Sequence, residues 1–158
     1  MKKKLNLGLV GGGLNSTIGK MHFLASKMDG NWDLCSGFLS RDKKINHLSA
    51  LKYEIKKERT HDSIENFIKN EKDKLDAVAV ITPTPDHFRI LKKLIEINMP
   101  VICEKPLLFD IREKKFFENK LKKNLFIRTT YNYTGYPLIK KLKYLISKNY
   151  LGQIQQIF

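Results

Sequence analysis

Leu5-Asn6-Leu7-Gly8-Leu9-Val10, Gly11-Gly12-Gly13-Leu14-Asn15-Ser16-Thr17-Ile18-Gly19 and Lys20-Met21-His22-Phe23-Leu24-Ala25 follow one another without a break. A short apolar run meets a glycine cluster. An amphipathic stretch comes next, in which Met21, Leu24, Ala25 and Met28 recur at helical spacing. That order predicts a buried strand over Leu5–Val10, a tight turn and a helix over Ile18–Met28. Such a unit aims the free N–H groups and the positive dipole end of a helix at a phosphate. Gly11 and Gly13 let the chain turn sharply and approach a pyrophosphate with no Cβ in the way. In the common spacing a third glycine stands three residues after Gly13. Here Ser16 stands there and the next glycine is Gly19, so the turn is predicted to be about three residues longer than usual.

Around this unit, the chain of 158 residues is one domain's worth and long enough for a core. Hydrophobic residues make up 42%, yet no apolar run approaches the roughly 20 residues of a membrane span. The apolar run behind Lys2-Lys3-Lys4 is broken by Asn6 and the glycines, which argues against export and predicts a cytoplasmic protein. Cys35 and Cys103 both sit in apolar, strand-like runs. They read as buried thiols in a reducing compartment, and no metal site is expected. The net charge of +14 attracts anions. However, the lysines are spread over every predicted helix and mixed with Glu and Asn, and no lysine block is interleaved with aromatics that could stack bases. Neither a specific nucleic-acid partner nor a membrane is expected.

A second strand is predicted over Asp33–Leu39, closed by Ser40-Arg41-Asp42. At this place a doubly wound nucleotide fold reads the adenosine ribose, through an acid for a free 2′-hydroxyl or an Arg for a 2′-phosphate. Ser40 stands first where a carboxylate is common, and Arg41 follows. Asp42 either turns into the site or caps the next helix, and the two uses are compatible. A helix is predicted from Asp42 to Lys57, a short third strand over Thr60–Asp62, and a helix from Ser63 with Ile64, Phe67 and Ile68 inward. Asp76–Ile81 is continuously apolar after its first residue, as in a strand buried on both faces of a parallel sheet.

Thr82-Pro83-Thr84-Pro85-Asp86-His87 follows that strand. The two prolines are expected to delay the next helix to Phe88 and to hold an open loop at the strand's carboxyl end, where open α/β sheets place ligands. His87 is either a cap or a cover over a cofactor. A fifth strand over Met99–Cys103 leads to Glu104-Lys105-Pro106-Leu107. Lys105, between an acid and a proline directly after a buried strand, is a candidate proton carrier or substrate anchor; a surface lysine in a turn is the alternative. A helix over Asp110–Lys122 and a sixth strand over Leu125–Thr130 complete the alternation. The predicted fold class is α/β: a Rossmann-type, doubly wound, mostly parallel six-stranded sheet of order 3-2-1-4-5-6 with helices on both faces. After Tyr131 the pattern changes to a loop, a helix over Leu138–Asn149 with Leu142, Leu145 and Ile146 inward, and the opening of a strand at Ile154–Phe158. Residues 1–131 thus read as a dinucleotide-binding domain. Residues 132–158 read as the linking helix and first strand of a truncated second α/β domain.

Taken in order, these pieces resemble the glucose–fructose oxidoreductase / inositol dehydrogenase / MocA-like family. The resemblance rests on Gly11–Gly13 with Ile18-Gly19 and His22, Thr82-Pro83 with His87, and Glu104-Lys105-Pro106. Tyr131-Asn132-Tyr133-Thr134-Gly135-Tyr136-Pro137 and Leu151-Gly152-Gln153-Ile154 continue it. The resemblance implies NAD(P) as cofactor and a redox step on a sugar, cyclitol or sugar nucleotide, in which a hydroxyl carbon gives hydride to nicotinamide C4 and a base takes the hydroxyl proton. It places Gly11, Gly12, Gly13 and Ile18 at the pyrophosphate, Ser40 and Arg41 at the adenosine end, and Thr82, Pro83, Thr84 and His87 along the nicotinamide half. Family members often carry Asn where Thr84 stands. It puts Glu104 and Lys105 beside nicotinamide, with Lys105 as the catalytic residue also touching substrate, and Asn132 on the substrate side. It further implies a second domain, an open antiparallel sheet that builds a homo-oligomer interface and carries an Asp-x-x-x-His pair. The fragment alone is then expected to be inactive. The alternative is a non-catalytic, stand-alone dinucleotide-binding module.

Overall fold

The computed structural model describes residues 3–121 and 125–156. Strands and helices alternate: β1 (Leu5–Gly11), α1 (Thr17–Met28), β2 (Trp32–Phe38), α2 (Lys43–Lys52), α3 (Ile64–Glu71), β3 (Ala77–Ile81), α4 (Thr84–Glu96), β4 (Val101–Glu104), α5 (Lys114–Leu121), β5 (Ile127–Thr130) and α6 (Pro137–Ser147). Single 3₁₀ turns lie at Lys57–Arg59, Ile111–Glu113 and Asn132–Gly135. Every strand pairing is parallel. Among the described residues the sheet has five strands in the order β2-β1-β3-β4-β5.

This corrects the predicted six-stranded sheet of order 3-2-1-4-5-6. The strand expected at Thr60–Asp62 is reduced to one bridge, Gly37 to Thr60, at the outer side of β2. Side chains hold this segment in place of a ladder. Asn46 accepts from the N–H groups of Leu39 (2.8 Å) and Ser40 (3.2 Å) and donates to the His61 carbonyl (2.8 Å). Ser36 Oγ donates to the Arg59 carbonyl at 3.0 Å. With the backbone polar groups met in this way, no further strand is required.

The apolar run of β3 is buried along its whole length, and its side chains divide by the two-residue period of a strand. Val78 and Val80 join Val10, Phe67, Leu91, Leu94 and Val101 on one face, whereas Ala77, Ala79 and Ile81 join Leu7, Leu9, Leu34 and Tyr53 on the other. Helices cover both faces. α3 is set inward by Ile64 and Phe67, as its spacing predicts.

In α1, by contrast, the residues that mark the helical period are not the buried ones. Met21 is 50% and Met28 85% exposed, while Gly19 and Ser26 are buried against the sheet. The helix lies too close to β1 for large side chains on that face. α4 begins at Thr84, four residues before the predicted start, because Pro85 falls in its first turn, where a missing N–H costs nothing. In α6 no residue is buried, against the predicted inward face. Ile154–Gln156 form no strand; Ile157, Phe158 and Lys122 lie outside the described residues. Among the described residues no helix is long and apolar enough to cross a membrane.

Candidate functional site

The sheet reverses its winding between β1 and β3, and their carboxyl ends meet at the Gly11–Ile81 pair. There the surface opens into a cleft of about 610 Å³, within the range of ligand sites. Its upper edge is the glycine turn. Gly11 (φ +81°) and Gly12 (φ +74°) take left-handed conformations that disfavour any side chain. A Cβ on Gly19 would lie 1.9 Å from the Gly12 carbonyl oxygen, so Gly19 is what lets α1 close on the turn. The longer turn therefore keeps a glycine for helix–strand contact and moves it three places. Ser16, standing in the usual place, caps α1 by accepting from the Gly19 N–H at 3.0 Å.

Gly13 lines the cleft and also packs closely on its neighbours. A Cβ there would face the Leu39 carbonyl at 3.0 Å and Ser49 Oγ at 3.1 Å, so it would press on β2 and α2. Three bonds fix the turn: Gly13 N–H to the Leu39 carbonyl (3.1 Å), Leu14 N–H to Ser49 Oγ (2.9 Å) and Tyr53 O–H to the Gly12 carbonyl (2.9 Å). Tyr53 and Asn46 escaped the sequence reading, as did the bond that Ser49 makes to the turn. Their signal is polar residues at positions 46, 49 and 53, where the helical period puts the inner face of α2.

At one end of the cleft lie Ser40, Arg41, Asp86 and Arg89. Asp42 is committed as the α2 cap, accepting from the Ile45 N–H at 2.8 Å. Arg41 reaches across to Asp86 at 2.6 Å, and Arg89 approaches the same carboxylate at 3.6 Å.

At the other end are Thr82, Pro83, Thr84, Glu104 and Lys105. Glu104 Oε1 takes bonds from Thr130 Oγ1 (2.7 Å) and His22 Nε2 (2.8 Å), and Oε2 accepts from the Lys105 N–H (3.2 Å). Burial pushes the Glu104 carboxyl up, but these bonds outweigh it and hold it below the usual range. The Lys105 side chain is exposed at the rim. His87 is buried behind the wall and does not line the cleft. Its Nε2 faces the Thr82 carbonyl (2.8 Å) and its Nδ1 the Pro106 carbonyl (2.9 Å), so it ties the loops after β3 and β4 together. The Cys103 thiol beside it is pushed up to about 12 by burial and the Glu104 charge, which makes it inert as a nucleophile. Asn132 is exposed at the start of a 3₁₀ turn after β5 and does not line the cleft.

Gly11, Gly12, Gly13, Ile18, Ser40, Arg41, Thr82, Pro83, Thr84, Glu104 and Lys105 are thus brought to one surface from four separate stretches of chain. The donor set suits a dinucleotide. The turn has no side chains on its cradle, and Thr82 Oγ1 is buried with no partner among the described residues. Such an unmet hydroxyl is costly unless a ligand or water meets it.

A parallel Rossmann sheet with a glycine turn at its switch point and a cleft of this make-up defines a dinucleotide-binding domain. The chain belongs to the GFO/IDH/MocA oxidoreductase family, whose NAD-binding Rossmann fold matches residues 5–127. It is 25% identical, over 99% of its length and 41% of the relative's, to the uncharacterized oxidoreductase YfiI of Bacillus subtilis (strain 168). Among solved structures it resembles an oxidoreductase from Pseudomonas syringae, with 27% identity and TM-score 0.90 over 98% of this chain and 44% of that one. It also resembles an inositol dehydrogenase homolog from Azotobacter vinelandii complexed with NADH and myo-inositol, with 29% identity and TM-score 0.91 over 98% of this chain and 42% of that one. The chain therefore spans less than half the length of these relatives.

Proposed function

We propose that residues 1–131 hold the NAD(P) cofactor of an oxidoreductase that moves hydride between nicotinamide and a hydroxyl-bearing carbon of a cyclitol or sugar. One observation carries this reading: Lys105 and the buffered carboxylate of Glu104 stand in the same cleft as the glycine turn, at the carboxyl end of the neighbouring strand. The resemblance to a homolog complexed with NADH and myo-inositol supports the substrate class.

The bound cofactor supplies a carbon that accepts or gives hydride. The residues supply everything else. The α1 N-terminus, capped by Ser16, favours a pyrophosphate beside Gly11–Gly13 and Ile18. Thr82, Pro83 and Thr84 form the wall for the nicotinamide half, and His87 keeps that wall in register with the loop carrying Lys105. Lys105 steadies the reacting oxygen and holds or releases its proton.

Residues 132–156 lead into a second, substrate-side domain. Its support is the exposed apolar face of α6, where Leu138 is 81% exposed and no residue is buried. The whole protein is then a cytoplasmic homo-oligomer acting on a small molecule, with no nucleic-acid or membrane partner. Its free thiols Cys35 and Cys103 suit a reducing compartment.

Calorimetric titration of the 158-residue chain with NAD+, NADH, NADP+ and NADPH tests the reading. Saturable binding of at least one pair is expected, without turnover of sugars or cyclitols, since Lys105 is exposed and has no wall to orient a substrate against it. Absence of binding by all four forms would end the reading. Steady turnover by the chain alone, lost in Lys105→Ala, would place the whole chemistry in one domain.

A further inference from the structure

Asp86 was not singled out in the sequence, yet it occupies a controlling position at the adenosine end. It lies in the first turn of α4, where a carboxylate is favoured by the helix dipole. From there it receives Arg41 from the end of β2, across the cleft, at 2.6 Å, and Arg89 from its own helix at 3.6 Å. All three residues line the cleft beside Ser40. Asp42, which could have supplied a carboxylate from the β2 side, caps α2 and does not line the cleft. The charge read by the ribose is therefore decided by two guanidinium groups and the single carboxylate between them.

We propose that Asp86 sets the choice between NADP(H) and NAD(H) by holding Arg41 and Arg89 together across the adenosine end, where a 2′-phosphate competes with it for both guanidinium groups. The inference rests on the cofactor reading given above and names the residues that discriminate within it. A phosphate monoester is close to a dianion and matches the fork of an arginine two bonds at a time. A ribose 2′-hydroxyl is neutral and gains little from displacing Asp86. The site consequently favours the phosphorylated cofactor, and Asp86 limits that preference, since the phosphate must replace its bond to Arg41 and its charge contact with Arg89. The cluster is open to exchange: the Arg41 side chain is 73% exposed and Asp86 22%. Exposed pairs of this kind contribute little to folding, so they can be removed without loss of the fold.

The test is calorimetric titration of the chain and of Asp86→Asn, Arg41→Gln and Arg89→Gln with NADP+ and NAD+. Each protein is titrated in parallel with ADP-ribose and its 2′-phosphate, which lack the nicotinamide and differ from each other only at the 2′ position, and thermal melts check the fold. Asp86→Asn is expected to raise affinity for NADP+ and for the 2′-phosphorylated probe at least fivefold, with less than twofold change for NAD+. Arg41→Gln and Arg89→Gln are each expected to lower NADP+ affinity about tenfold and NAD+ affinity less than threefold. If both cofactors bind and their ratio is unmoved in Asp86→Asn or in Arg89→Gln, Asp86 does not set the choice and the proposal falls alone. If the unaltered chain binds neither cofactor, the cofactor reading falls and this proposal with it.

Discussion

His22 Nε2 on α1 and Glu104 Oε1 at the end of β4 meet at 2.8 Å across 82 residues of sequence. The bond links the helix whose N-terminus faces the cleft to the strand end that carries Lys105. Thr130, opposite Glu104 in the sheet register, closes the arrangement from β5. Glu104 thus binds three elements together directly beside Lys105 at the cleft rim.

A pH dependence follows from the sign of its shift. The Glu104 carboxyl is held below its ordinary range in the folded chain, so its contribution to stability is complete above the pH at which a free carboxyl titrates. It is lost as the pH falls through the lowered value. Glu104→Gln should cost about 1–3 kcal/mol near neutral pH, as for other hydrogen bonds to charged groups. Urea denaturation from neutral into acid should show the gap between the two proteins narrowing as the pH drops. A gap independent of pH would mean that the charge on Glu104 contributes nothing.

A second carboxylate, Glu71, is predicted to matter more for folding and not at all for the cleft. It is 1% exposed, bound by Arg59 through two nitrogens and by His61 Nε2 at 3.0 Å. Burial pushes Glu71 up, but Arg59 and His61 together bring it below its usual range. Glu71→Ala leaves the Arg59 charge half-buried without its partner and should cost about 3–5 kcal/mol. Thermal melts measure this directly. A loss under about 1 kcal/mol would show that the Arg59–His61 segment is held by its backbone bonds alone.

The same cluster explains what the sequence reading caught and what it missed. The continuous apolar run Ala77–Ile81 and the run Leu5–Val10 are local signals, and they marked the central strands. The Thr60–Asp62 segment carries strand-like letters, yet Asn46, Ser36 and Glu71 settle its conformation and that of Arg59 beside it through bonds that span 10 to 23 residues, a relation that no local pattern contains. In α1 the apolar period was real but named the wrong face, because the approach of Gly19 to Gly12 selects small residues on the inner side. The candidate site was legible where it sits on strand ends: the glycine turn, Ser40-Arg41, Thr82-Pro83 and Glu104-Lys105 all reach one cleft. Asp86 and Arg89 were not, because their meaning comes from an arginine on another element. Asn132 was read into the substrate side, and the structure sets it on an exposed turn outside the cleft.

Gly19→Ala weighs two opposing effects. In an ordinary helix interior this exchange favours the helix by about 0.5–1 kcal/mol. Here the added methyl would lie 1.9 Å from the main-chain oxygen of Gly12, a contact that only movement of α1 can relieve. Overpacking of this kind costs roughly 1–3 kcal/mol, so the net effect should be destabilising and should weaken cofactor binding by shifting the helix N-terminus. Thermal melts and NADH titration check both parts. A more stable variant with unchanged affinity would show that α1 is free to move away from the turn.

The central claim is that the turn from Gly11 to Gly19 and the start of α1 receive the pyrophosphate. Its most direct test is Ser16→Asp. Aspartate is as good an N-cap as serine and suits the helix dipole, so α1 should be no less stable. It also places a fixed negative charge in the cleft lining, beside the glycine turn. Calorimetric titration of both proteins with NADP+ and NAD+, alongside thermal melts, is predicted to show an unchanged or raised melting temperature with affinity for both cofactors reduced at least tenfold. Equal affinity in the two proteins at equal stability would contradict the account, because the pyrophosphate would then lie elsewhere.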